Sequence, residues 1–158
     1  FDIGMLTANY LMAYFSQPAH RASADLAEYQ SWILATIEET FAQFNNEFRR
    51  LWRTERTGML YPACLFEDQG HSSQSACDHV LKNTWQDALN VCGIEMHRRV
   101  LSLAHNADFE SIEDVSVRAP LEARNIMMGA DLIMKSEKIE TPQDLVKIAQ
   151  TFNAGEYL

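Results

Sequence analysis

Six apolar residues, Leu34, Ile37, Phe41, Phe44, Phe48 and Leu51, recur at alternating spacings of three and four, the period of a coiled-coil seam. They lie in a stretch from Ser23 to Arg56 that contains neither Gly nor Pro. Nothing in the backbone chemistry interrupts a single helix of roughly 50 Å there, at 1.5 Å per residue. Such a helix cannot bury its own stripe and needs partner helices, from the same chain or from another molecule. Composition agrees: 47% of the residues are hydrophobic and only four Pro and six Gly occur among 158, which suits a bundle better than a sheet rich in hairpins. The expected fold is therefore all-α, an elongated bundle of four to five helices with one very long helix over about 23–56. A chain of this length is read as a single helical-bundle domain, 1–158.

The remaining helices are placed by their punctuation. Ile3 to Phe15 is apolar and ends before Pro18, because the residue preceding a proline is biased away from helix. Ser23 is the expected N-cap of the long helix. Gly58, Tyr61-Pro62 and Glu67-Asp68-Gln69-Gly70 mark a long loop over about 57–75, of a length that usually packs or binds something. A third helix runs from Ser75 to His105, and its Gly93 predicts a close helix crossing, since Gly in a helix interior costs about 1 kcal/mol relative to Ala. In the last third, Glu110 to Val115 and Glu140 to Leu145 echo each other thirty positions apart. Ser111 and Thr141 are the expected caps, Asp114 and Asp144 complete the boxes, Pro142 takes the first helical position, and Pro120 opens the helix between them.

Charge and cysteine usage exclude several classes. A net charge of −9 repels phosphate backbones, which argues against nucleic acid. Arg49, Arg50, Arg53 and Arg56 form the one basic group and sit where the long helix ends, favoured by its dipole. Cys64, Cys77 and Cys92 are odd in number, widely spaced and without a CxxC pair, so neither a disulfide framework nor a zinc knuckle is expected. Cys77 and Cys92 read as small apolar core residues, consistent with a reducing, cytoplasmic setting. The Ile3 to Phe15 segment is too short to span a bilayer and carries no basic flank; whether a targeting segment precedes Phe1 is left open.

No catalytic or cofactor pattern emerges. A di-iron bundle wants Glu-x-x-His pairs, whereas the residues three before His79, His97 and His105 are Ala76, Ile94 and Ser102. Asp68-x-x-His71 falls in the loop and reads as surface. GxGxxG, GxxxxGK[ST] and GxSxG are absent, and no cofactor, metal site or catalytic residue is expected.

The run from Met134 to Phe152, with Glu140-Thr141-Pro142-Gln143-Asp144-Leu145 at its centre, resembles the helix-break-helix segment of phasins, helical proteins that coat polyhydroxyalkanoate granules. The resemblance implies a non-enzymatic, granule-associated coating role. The residues agree to this extent: a helix face carrying Leu34, Ile37, Phe41, Phe44, Phe48, Leu51 and Trp52 suits self-association into a homo-oligomer, or docking to an apolar surface or a partner helix. The alternative, from another class, is a helical-bundle enzyme or sensor domain holding a haem, metal or small ligand among His79, His97, His105 and the cysteines.

Overall fold

The computed structural model describes residues 1–156. Its elements are α1 (Asp2–His20), α2 (Ser23–Thr54), α3 (Gln74–Leu101), the one-turn α4 (Ala107–Glu110), α5 (Val115–Lys135) and α6 (Pro142–Ala154), with short 3₁₀ turns at Ala63–Leu65, Glu67–Gln69 and Ser136–Lys138. The architecture is all-α, and no strand occurs among the described residues.

Helix α1 continues five residues past the expected stop at Phe15 and through Pro18. Proline removes the N–H that would reach back to the Tyr14 carbonyl. The buried Gln30 of α2 supplies the missing donor, its Nε2 lying 3.0 Å from that oxygen. The kink-prone proline is thus accommodated by a side chain from the next helix, which also ties α1 to α2.

Three further boundaries differ from expectation. Ser23 is the first residue of α2 rather than its cap, which is Ala22 and makes no side-chain bond. Helix α3 stops at Leu101. Ser111 does not cap: it ends α4, and Asp114 itself caps α5 by accepting from the Ser116 N–H at 2.8 Å. Consequently α5 begins five residues before Pro120, whose lost bond would have gone to the Ser116 carbonyl at an exposed position open to water. The start of α6 matches its pattern. Thr141 and Asp144 form the reciprocal capping box, with Pro142 at the first turn.

Glycine sets the central crossing. Helices α3 and α5 run antiparallel, with Gly93 against Gly129: a Cβ on Gly93 would collide with the Gly129 carbonyl oxygen, and one on Gly129 would meet the His97 ring at 2.9 Å. Nearby, the fully buried Asn125 of α5 donates to the Met96 carbonyl at 2.9 Å. Helix α1 lies parallel to α3, with Gly4 beside Ala88 and Val91 at one end and His20 Nε2 at 2.7 Å from the Asp108 carbonyl at the other. Leu11, Met12, Phe15, Ile33, Leu34, Ile37, Leu89, Met96, Met128, Leu132 and Leu145 fill the core between these helices and α6.

Cys77 and Cys92 are 1% and 0% exposed, while Cys64 is exposed in the connection between α2 and α3. Burial pushes the Cys92 thiol far above its ordinary value, and the thiolate is the reactive form. A thiol reagent at neutral pH is therefore expected to label Cys64 rapidly and to reach Cys77 and Cys92 only on unfolding. Three thiols titrating together in the native protein would contradict this packing.

Candidate functional site

The aromatic stripe divides. Leu34, Ile37 and Phe41 are buried in the core of this chain, where Phe41 meets Trp85 edge to face at 4.4 Å. Beyond Phe41 no residue of α2 is buried. There Phe44, Phe48 and Trp52 form a ladder of tilted rings at 5.9 Å spacing that continues onto Tyr61 at 5.2 Å and then Phe66 at 6.3 Å. All five rings are half-buried, and Leu51 is exposed. The Trp52 end of that face is thus packed against the chain's own connection.

Arginine fastens that connection. The Arg56 side chain, only 12% exposed, donates to Ser73 and to Glu67, while Ser73 donates to Glu67 at 2.6 Å and accepts from the Trp52 indole at 3.0 Å. The Arg56 guanidinium and the Ser73 hydroxyl hold the Glu67 carboxyl down to about 2. A carboxyl lowered in the folded state stabilises above its unfolded value and loses that contribution as pH falls through the folded one. The connection is expected to loosen as pH drops from about 5 toward 2, a change readable in Trp52 fluorescence. Arg56→Ala should remove this acid step; an unchanged step in the variant would exclude the Arg56–Glu67 pair as its source.

The histidines and cysteines that the enzyme alternative named do not come together as one ligand set. His79 Nε2 lies 3.1 Å from the Asn83 amide, His97 Nδ1 donates to the Gly93 carbonyl at 2.7 Å, and His105 lies beyond the end of α3 beside Glu110 at 3.3 Å. Among the described residues no three His, Cys, Asp or Glu side chains converge as metal ligands.

The concentrated chemistry lies instead at the end of α3. Glu95 is 2% exposed. Its Oε2 accepts from Arg98 Nε at 2.6 Å, and its Oε1 accepts from Arg98 Nη2 and from Arg99 Nε, both at 2.7 Å. Arg99 Nη1 also donates to the His105 carbonyl at 3.2 Å. Helical spacings of three and four bring these side chains together, and the dipole favours two cations in the last turn. Burial acts to raise the Glu95 carboxyl, but the bonds from Arg98 and Arg99 outweigh it and hold it below its ordinary value. The Arg98 and Arg99 side chains remain partly open, at 42% and 30% exposure. No hydrogen bond within the described residues engages Arg98 Nη1 or Arg99 Nη2.

This end also gathers the α3–α4 turn, where Leu101 and Leu103 are 66% and 97% exposed, and the start of α5. Arg118 there donates to the Ile112 carbonyl at 3.3 Å. Two neighbouring guanidiniums, held at their inner edges and open at their outer ones, suit an oxyanion such as a phosphoryl group. The sequence reading passed over this cluster. The signal is Glu95-x-x-Arg98-Arg99, which on periodicity alone is an ordinary surface ion pair; only burial of the carboxylate distinguishes it.

No protein-family model matches the chain. Its curated relatives include methylthioribose kinase of Escherichia coli, 32% identical over 151 residues, and methylthioribose kinase 1 of rice, 31% identical over 159. A methylthioribose kinase of Geobacillus is 29% identical over 156 residues. These matches cover 95%, 97% and 98% of this chain but only 36%, 36% and 34% of the relatives, so the chain spans about a third of their length. They overturn the phasin resemblance, which rested mainly on residues 134–152 and only loosely on Asp108 to Val115: a capped helix start of that kind serves many folds. The granule-coating, non-enzymatic role falls with it, because the relatives bear the name of an enzyme.

No helix is long and apolar enough to cross a membrane among the described residues.

Proposed function

We propose that this chain forms the helical part of a sugar kinase of the methylthioribose kinase kind, and that Arg98 and Arg99 are its contribution to phosphoryl transfer. The observation that carries the reading is a buried carboxylate holding two adjacent, partly exposed arginine side chains, in a chain whose relatives over nearly its full length are named as kinases. Phosphoryl transfer is governed by positioning and by stabilising charge on the phosphoryl oxygens. A fixed pair of guanidiniums supplies both. Their role is to accept the oxygens of the transferred group, orienting it while donating hydrogen bonds as negative charge redistributes. Nucleotide cradling by a Gly-rich loop has no counterpart in this sequence, and among the described residues no carboxylates converge as metal ligands. The anion clamp is the part of the reaction that these residues fit.

The test is binding. Phosphorylated methylthioribose is expected to perturb the NMR resonances of Arg98 and Arg99 in this chain, with weaker response to the unphosphorylated sugar and none in the Arg98→Ala, Arg99→Ala double variant. A response equal for both ligands, or centred on the Phe44 to Trp52 ladder, would contradict the assignment.

A further inference from the structure

We propose that Glu95 is a positioning residue, whose buried carboxylate fixes the Arg98 and Arg99 guanidiniums so that their unoccupied N–H groups are presented together at the end of α3. The inference rests on reading the arginine pair as an anion clamp, and assigns the device that sets its geometry.

Three observations carry it. First, the bonds to Glu95 engage the Nε of both arginines, the atom about which each guanidinium plane would otherwise turn. With Arg98 Nη2 and Arg99 Nη1 also occupied, each side chain is left with one wholly unengaged terminal nitrogen. Second, the arrangement is costly as a purely structural feature. Burying an ionised carboxylate demands that its partners repay the lost hydration, and apolar side chains of similar volume commonly stabilise a core as well or better. Third, ordering two long, rotamer-rich side chains before the ligand arrives removes an entropic cost that a free pair would incur on binding. The carboxylate also cancels one of the two positive charges. Charge and geometry therefore make opposite predictions for its removal: the neutral isostere glutamine raises the charge of the cluster, which by itself tightens an anion, but loses the charge-assisted bonds that hold both guanidiniums.

The experiment is a titration of the full chain with inorganic phosphate, followed at the arginine Nε–Hε resonances. Wild type is expected to respond at Arg98 and Arg99, and Glu95→Gln to bind phosphate about ten-fold more weakly despite its extra positive charge. Equal or tighter binding by Glu95→Gln would overturn the positioning role while leaving the clamp intact. Should Glu95→Gln fail to fold by circular dichroism, Glu95→Asp keeps the charge and shortens the reach by one methylene; weaker phosphate binding supports the role, and unchanged affinity overturns it. A wild type with no phosphate response at either arginine would overturn the clamp reading itself, a result distinct from any change on substituting Glu95.

Discussion

Gly93→Val is expected to destabilise the protein by about 3 kcal/mol, from the upper range for forcing extra carbons into a packed core, and to lower Tm by about 6–12 °C for a chain of this size. The added Cβ meets the Gly129 carbonyl oxygen and comes within 2.8 Å of Ile133 Cγ1. Backbone cannot rotate aside, so α3 and α5 must separate. Separation would stretch the buried bond from Asn125 to the Met96 carbonyl and leave an uncompensated amide in the core. Gly129→Ala meets the His97 ring and, at 3.0 Å, the Gly93 carbonyl oxygen; the ring can turn only by giving up its bond to that carbonyl, so the cost should be about 2 kcal/mol, within the same range. Gly58→Ala faces open space and serves as the neutral control. Equal Tm values for Gly93→Val and Gly58→Ala would remove the close crossing from the account. Because α3 carries Glu95, Arg98 and Arg99 just beyond the crossing, Gly93→Val should also disturb the clamp.

The features read correctly from sequence were those whose cause is local. Thr141, Pro142 and Asp144 cap α6 through groups three residues apart, and Gly93 announced a crossing because a helix interior has no other use for it. Pro18 was misread because its compensation is not local: the Gln30 amide that replaces its lost donor sits on another helix. The Leu34 to Leu51 stripe identified a long helix, but period alone does not name what a stripe touches. Its first three residues are in the core of this chain, whereas its later rings stack toward Trp52, which meets a connection whose path no periodicity encodes. The Glu95 cluster failed for a related reason. Histidine spacings, cysteine pairs and glycine loops are distinctive in sequence, whereas two arginines and a glutamate become a site only when the fold buries the glutamate and leaves the arginines partly open.

The largest functional effect is expected at the arginines. On the proposed clamp, removing one guanidinium takes a preorganised donor and a compensating charge from the transferring phosphoryl group, and losses of this kind lower turnover by about 10²–10³-fold. Arg99→Ala should fall in that range. Arg99→Lys restores the charge without the planar fork or the bond to Glu95, so it should recover only part of the rate. Arg98→Ala should resemble Arg99→Ala, since both arginines share one carboxylate. Arg53→Ala, in the last turn of α2 and remote from the cluster, should leave turnover unchanged.

The most direct measurement replaces the matching third of the Escherichia coli relative with this chain and follows phosphoryl transfer from ATP to the sugar. The account predicts a folded, active chimera whose turnover drops by at least about 10²-fold with Arg98→Ala or Arg99→Ala and does not change with Arg53→Ala. A folded, active chimera indifferent to both arginine substitutions would contradict it.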